Sequence, residues 1–524
     1  RHSFSSIEKV GIYTLAFLFI GMELWGAFFL PSSFQSENVS SPLFYPVVQA
    51  ATVTIDVTTS TDAYDTGAGA NGSCSLREAI GKANGDNLPD CPYSAEPVSG
   101  DTIQINLSSG TTYNLTRDGA GLGDDNNDRG DLDIATSTAV TIAIAPTGTA
   151  YATIDASGLG TLERVMHIVT DGPSISLDKM VITSGDTNGA FSVGEGRGAG
   201  IYIANGDVTI NNSVVKSNDS AFDGGGIYVE STGTLTLTST TLHSNTVSGA
   251  AGGDAFGGGI YNDGTDLTIT SSTFTSNVTS NTTVNDGHGG GLYTSGGTVT
   301  ITSSTFSLNQ AARESESADG GAVYQGGGTV TITDSTLSTN SSGDDGGGLY
   351  VGSATTTITN STFTLNTAST TRSAAAGGGL YGTAGIVTIT SSTFSYNYAG
   401  SSGGGTRVDS SSTITITSST FKGNSAQANG GGVYVDTGTA TITGGLYTLN
   451  MATSSSRSGG AIYNDTSAMT ITSATIRGNE AGASGGGILS SGTTLTLSDS
   501  IISFNTSTDG GGIYSGGTTF IMSD

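Results

Sequence analysis

Residues 289–309 read GGGLYTSGGTVTITSSTFSLN, and residues 320–340 read GGAVYQGGGTVTITDSTLSTN. Both carry a glycine anchor ending in tyrosine, a threonine-isoleucine-threonine core, and an asparagine 16 residues after that tyrosine. Twelve glycine anchors of this kind, ten of them ending in tyrosine, recur between Gly198 and Tyr514. The asparagines that follow, 16 or 17 residues after the last anchor position, are Asn218, Asn245, Asn277, Asn309, Asn340, Asn366, Asn397, Asn424, Asn450, Asn479 and Asn505. A fixed period of this size is the mark of a solenoid, in which each coil stacks only on its neighbours.

The register follows by counting back from the asparagine. Eight residues before it stands isoleucine or leucine every time, from Ile210 to Leu497. Nine and seven before it threonine dominates, as Thr300 and Thr302 do around Ile301. Such alternation predicts a strand with one buried face and outward threonines. A one-residue slip would turn every isoleucine outward, so the register is strongly specified. The fold class is therefore all-β: a right-handed parallel β-helix with a minimal coil of about 26 residues and a small N-terminal cap. Three short strands per coil are expected. The anchor supplies the third, with its isoleucine inward and its tyrosine on the opposite face or at a corner. Coils about 4.8 Å apart would make a rod roughly 70–80 Å long.

The asparagines read as a structural ladder of side-chain amides, each bonded to its copy above and below. Asn218, Asn277, Asn340 and Asn505 begin N-x-S/T sequons. A ladder position cannot carry a glycan and stay intact, so these sequons are discounted. The GxGxxG-like matches belong to the repeat and carry almost no nucleotide-binding signal.

Length varies in one place only. From asparagine to the next anchor tyrosine the chain takes 9 to 16 residues. The long versions are 246–256, 278–288, 310–319 and 367–376. Insertions along one edge of a solenoid often form its binding face, and drift in exposed loops gives the same pattern. Asp223, Asp319, Asp345 and Asp509 each precede an anchor. They suggest an acidic strip, either a solvated, solubilising edge or an occasional calcium site.

Only 11 % of the 524 residues are charged, yet the net charge is −28. That argues against nucleic acid and anionic membrane surfaces as partners. Glycine is abundant at 81 residues and proline scarce at 8, and the strict strand alternation separates the chain from disordered low-complexity tracts. A nearly all-apolar run over 10–30, interrupted by Glu23, precedes Val48-Gln49-Ala50. It reads as a secretory signal cleaved after Ala50, or as an uncleaved N-terminal membrane segment. Starting at arginine and stopping within a strand-like stretch, 518–522, the sequence reads as part of a longer protein. The two cysteines, Cys74 and Cys91, follow the export segment, where a disulfide fits the compartment. The chain divides into 1–50, signal or membrane segment; 51–135, cap region; 136–197, irregular first coils; and 198–524, regular repeats.

Cys74-Ser75-Leu76-Arg77-Glu78-Ala79-Ile80 resembles the CSLREA domain that begins many exported bacterial β-helix proteins. The likeness extends to Gly130-Asp131-Leu132-Asp133-Ile134 and Ile154-Asp155-Ala156-Ser157-Gly158, and covers roughly 51–170. The repeats resemble those of chlamydial polymorphic outer-membrane proteins, marked by GGA(I/L/V) and FxxN. Here these are Gly320-Gly321-Ala322-Val323, Gly459-Gly460-Ala461-Ile462, Phe274 to Asn277, Phe306 to Asn309 and Phe363 to Asn366. That resemblance implies a surface-exposed passenger used in adhesion and carried by a C-terminal outer-membrane barrel. Read from its residues, the heptapeptide is a short helix with Leu76, Ala79 and Ile80 on one side and Arg77 and Glu78 outward. Tied by Cys74–Cys91, it would cover the open end of the solenoid. An ion pair or surface helix accounts for Arg77 and Glu78 better than catalysis does.

Residues 123–131 hold the densest carboxylate cluster. Asp124, Asn126 and Asp128 alternate as in a calcium loop, but glycine falls one place late and no glutamate closes the site. Calcium is the one cofactor considered; otherwise none is expected. Arg129-Gly130-Asp131 spells an integrin-type tripeptide, but Asp131 belongs to the GDLDI strand motif.

Three functions compete. The first is a secreted or cell-surface rod, adhesive or structural and non-catalytic, associated with the outer membrane. Its partners would be a cell-surface protein or polysaccharide. The second is a polysaccharide lyase or glycoside hydrolase, supported by fold analogy alone. Residues 198–524 hold seven Lys or Arg against 21 Asp or Glu, a poor basis for lyase chemistry on anionic polymers. Asp286, Asp344 and Asp345 are the carboxylates a hydrolase would draw on. No catalytic residues stand out. The third is ice binding through the two threonine columns, about 7 Å apart along a strand.

Overall fold

The computed structural model describes residues 50–65, 71–117, 130–135, 140–160, 163–188, 196–249, 254–280, 286–311, 317–410, 412–516 and 519–523. The apolar run at 10–30, the cleavage pattern up to Gln49, and Asp124, Asn126, Asp128 and Arg129 lie outside the described residues.

The regular repeats form a parallel β-helix. Thr268-Ile269-Thr270 pairs in register with Thr300-Ile301-Thr302, which pairs with Thr331-Ile332-Thr333. The residues eight before the ladder asparagines are all buried, none more than 4 % exposed. Most flanking threonines are half-buried, covered by their copies in the adjacent coils, while Thr443 and Thr470 are exposed.

Each coil has three faces, but the anchor does not supply the third. In several coils the anchor strand runs on into the threonine-isoleucine strand as one element, as in Val323–Thr333 and Leu349–Thr359. The linking glycines stay paired, Gly327 with Ser353 and Gly328 with Ala354, so the chain does not turn onto another sheet. The second face carries three-residue strands such as Thr305–Ser307. The third is a two-residue strand after the ladder asparagine, such as Ser341–Ser342.

Inside, like stacks on like. Phe363, Phe394, Phe421 and Tyr447 form one column with ring centroids 4.6, 4.9 and 5.2 Å apart. Phe274 and Phe306, 4.4 Å apart, continue the same column beyond Leu337. Such pairs add about 0.5–1.5 kcal/mol each beyond area burial. The anchor glycines are required by the turn into the first face. Gly320 has φ 68°, and a Cβ at Gly321 would lie 2.3 Å from the carbonyl oxygen of Gly347 in the next coil. Alanine nevertheless stands at the second position as Ala199 and at the third as Ala322 and Ala461.

The N-terminal helix spans Leu76–Asn84. Ser75 caps it, Glu78 completes the capping box, and Gly85 ends it in the left-handed conformation. The helix packs on the strands Leu132–Ile134 and Thr102–Leu107, and a disulfide joins Cys74 to Cys91. Leu76, Ala79 and Ile80 enter the core. Arg77 and Glu78 do not point outward: both are buried. The segment up to Asp65 folds over the helix and accounts for both. The carboxylate of Glu78 accepts from the Ser75 and Asp65 amides, and Arg77 pairs with Asp62 at 2.7 Å. Arg77 also donates to the carbonyl oxygens of Gly130 and Asp131, tying helix to first coils. Among the described residues no helix is long and apolar enough to cross a membrane.

Candidate binding surface

The ladder fixes where the surface begins. Asn309 Nδ2 donates to Asn340 Oδ1 at 3.0 Å and to the carbonyl oxygen of Phe274 at 2.9 Å. Its Oδ1 accepts from the Nδ2 and the backbone amide of Asn277. Both donors and both lone pairs are thus used. The chain of amide contacts runs through Asn218, Asn245, Asn277, Asn309, Asn340, Asn366, Asn397, Asn424, Asn450, Asn479 and Asn505. All are buried except Asn505, which is half-buried in the last ladder coil. None has room for a glycan.

Just past the ladder the chain reaches the variable corner. Thr246–Val247 pairs with Val278–Thr279 on the leading flank of the insertions. Ala255–Phe256 pairs with Gly287–His288 after they return. Register is therefore kept on both flanks while the loops between differ in sequence. Residues 250–253, 281–285 and 312–316 within these loops lie outside the described residues.

The residue before each anchor forms a column along this corner. Asp345 N donates to Asp319 Oδ1 at 2.9 Å, and Ala376 N donates to Asp345 Oδ1 at 2.7 Å. One coil earlier His288 takes the same role, its Nδ1 accepting from Asp319 N at 3.1 Å. The acidic strip is therefore no solvated edge. Asp223 and Asp319 are buried and Asp345 is half-buried; only Asp509, in the last coil, is exposed. Their side chains serve as rungs to backbone amides, which draws them in. Burial, with the charges of Asp319 and Asp344, pushes the Asp345 carboxyl up to about 8. Burial likewise pushes Asp319 to about 7, and Asp223 to about 6 against the pull of Arg197. Burial holds His288 neutral, down at about 4.

Asp319, Asp344 and Asp345 bring carboxylate oxygens within 4.8 Å of one another, with Arg372 3.9 Å from Asp344. They offer the oxygen donors that calcium takes. For glycoside hydrolysis the spacing is tight: even retaining enzymes hold their two carboxyls about 5–5.5 Å apart. Asp286 accompanies them at a distance, raising Asp319 by its charge.

Beside this column the anchor tyrosines stack on the outside of the first face. Tyr202, Tyr228, Tyr261, Tyr293, Tyr324 and Tyr350 lie 4.6–5.1 Å apart, centroid to centroid. Phe256 and His288 make a second row against Tyr293 and Tyr324. Arg407 replaces one tyrosine and keeps the stack, 5.7 Å from Tyr381 and 4.9 Å from Tyr434. The sequence placed each tyrosine on the opposite face or at a corner. The one-coil period was the signal for the ladder itself. The threonines form two further columns on the same sheet, paired coil by coil from Thr268 to Thr496 and from Thr270 to Ser498.

A second polar cluster was not legible as a site. Asp131, Asp133 and His167 converge where the strand Leu132–Ile134 pairs with Met166–Asp178, with His167 Nδ1 3.3 Å from Asp133. Arg164 lies 3.6 Å from Asp131. Burial and the Asp133 charge push Asp131 up to about 7. The alternation in GDLDI, which puts both aspartates on one side, was the available signal. It also removes Asp131 from any free integrin-type loop, since the residue is buried.

The family described as right handed beta helix region matches residues 190–400 and, in a second alignment, 258–446. The solenoid is accordingly of the right-handed class. No curated protein and no solved structure matches the chain significantly.

Proposed function

We propose that this β-helix repeat protein is an exported, non-catalytic rod that binds through its variable corner. The observation that carries this reading is the confinement of length variation to loops whose two flanks stay in register. A rigid stack presents varied loops at fixed spacing, and binding residues concentrate on such loops. The apolar N-terminal run, the CSLREA-like heptapeptide and the GGA(I/L/V) and FxxN marks support export to the cell surface and an adhesive role. A cell-surface protein or a polysaccharide is the partner class that fits. The acidity of the chain disfavours nucleic acid.

The test is to shorten 246–256, 278–288 and 310–319 until each asparagine-to-tyrosine spacing falls to the minimum of nine. The rod should stay folded and its attachment to host or neighbouring cells should fall. Unchanged attachment by a folded, trimmed rod places binding elsewhere.

A second reading is favoured by the unbroken threonine columns, which form the regular lattice an ice-binding solenoid needs. Thermal hysteresis that persists in the trimmed rod and is lost on Thr300→Lys and Thr331→Lys would support it.

A further inference from the structure

The residue immediately before each ladder asparagine adopts the left-handed conformation. In the first three regular coils it is serine, with φ 52° to 55° at Ser217, Ser244 and Ser276. Two later coils use Gly423 and Gly478. Five others carry large apolar residues there: Leu308, Leu365, Tyr396, Leu449 and Phe504, at φ 54° to 58°. These five are 50–88 % exposed. A bulky side chain held in a conformation that disfavours any Cβ, and left at least half exposed, buries little of its apolar surface inside the chain. The ridge runs along the edge of the second face. The eleven strands of that face in the regular repeats, from Val214–Lys216 to Ile501–Ser503, contain no carboxylate. They do contain Lys216, His243, Lys422 and Arg477.

We propose that this ridge is a self-association surface, on which a second copy of the chain packs antiparallel about a two-fold axis. The partner is set by charge and by register. On a chain of net charge −28, a like molecule approaches most readily across a face whose strands carry no carboxylate, with Asp334 and Asp499 only at the edge away from the ridge. Counting coils from the one that holds Asn218, the apolar residues stand in coils four, six, seven, nine and eleven. A two-fold axis between coils seven and eight sets Leu308 opposite Phe504 of the second copy and Leu365 opposite Leu449. It sets Tyr396 opposite Gly423 and Thr339 opposite Gly478. The Tyr396 ring leans over Gly423 of its own chain, where a Cβ would lie 2.6 Å from the ring. Both rings therefore meet at the axis. Along the strands Lys422 faces Ser395 and Arg477 faces Ser338, so no two bases oppose each other. This is the self-complementarity that an isologous contact requires. The overlap from coil four to coil eleven is about 34 Å long. A strip of that length lies at the small end of specific interfaces, so affinity in roughly the micromolar range is expected. The inference stands apart from the adhesive reading, because the ladder and third face separate the ridge from the variable corner.

Sedimentation equilibrium of the full chain tests it, comparing wild type with the Leu365→Ser/Leu449→Ser double variant. Serine holds this position in the first three regular coils, so the variant keeps the fold, which circular dichroism would check. The expected result is a reversible wild-type dimer whose dissociation constant rises at least about tenfold in the variant. A Leu365→Cys/Leu449→Cys pair should oxidise to a covalent dimer far faster than Leu449→Cys alone. A monomeric wild type, equal association of the serine variant, or equal cross-linking by Leu449→Cys alone would overturn the proposal. So would a monomer that instead uses the ridge to bind polysaccharide.

Discussion

In the regular coils the ladder amides and the aromatic columns are met by their own copies one coil away, whereas in the first coils Arg77 and Asp133 are met by partners of another kind. Asn309 bonds to Asn277 and Asn340, Phe394 stacks on Phe363 and Phe421, and Tyr324 stacks on Tyr293 and Tyr350. Arg77 instead binds Asp62 and two backbone carbonyls, and Asp133 faces His167. Repetition spreads stability over many equivalent rungs, so one loss is felt by two neighbours. The strands of the first coils stack in register as well, but polar contacts such as Arg77 with Asp62 have no duplicate there.

The comparison breaks most visibly at Arg77. Its side chain and that of Asp62 are at most 1 % exposed. Arg77→Met strands a buried carboxylate and should cost about 3–5 kcal/mol in denaturant unfolding. A cost under about 1 kcal/mol would mean that the helix is not held by this pair.

Within the repeats, Asn309→Ala or Asn397→Ala leaves amides unpaired above and below, at about 1–3 kcal/mol. Thr302→Ala, on the outer face, should stay within about 0.5 kcal/mol. Equal effects would argue against a buried ladder. Tyr324→Leu interrupts the outer stack and should cost about 0.5–1.5 kcal/mol by the same measurement.

The smallest expected effect is a pH dependence at the variable corner. Asp319 and Asp345 are raised to about 7 and about 8 from 3.8, so the folded state holds protons that the unfolded chain has released. Their stabilising protonation is lost as pH rises through about 7 to 8. His288 is lowered from 6.5 and opposes folding only below that pH. Between pH 8 and pH 6.5 the stability of these coils should therefore rise as pH falls, and Asp345→Asn should flatten the slope. An unchanged slope in Asp345→Asn would assign the titration elsewhere.

What repeats was legible in the sequence. The burial of Ile301 and Ile389 and the in-register pairing of successive coils follow from a period and an alternation. The number of faces was read less well. In sequence the anchor reads as a face of its own, yet Gly327 and Gly328 stay paired and carry its strand on into the threonine-isoleucine strand. Asp319 and Asp345 looked like surface charge, because nothing in the repeat says that a backbone amide of the next coil will meet each carboxylate. Arg77 and Glu78 were placed outward on helical periodicity alone. Their burial depends on residues 57–65 folding over the helix, a single long-range event that no period records. The candidate binding corner was legible as a place, from its variable length, while its chemistry was not.

Segment-resolved hydrogen exchange on Asn309→Ala, with Thr302→Ala and Arg77→Met beside it, tests the nearest-neighbour account most directly. Faster exchange should appear in the coils of Asn277, Asn309 and Asn340, with the coils beyond Asn424 and the helix Leu76–Asn84 unchanged. Acceleration spread evenly over the solenoid, or no more than Thr302→Ala produces, would contradict it.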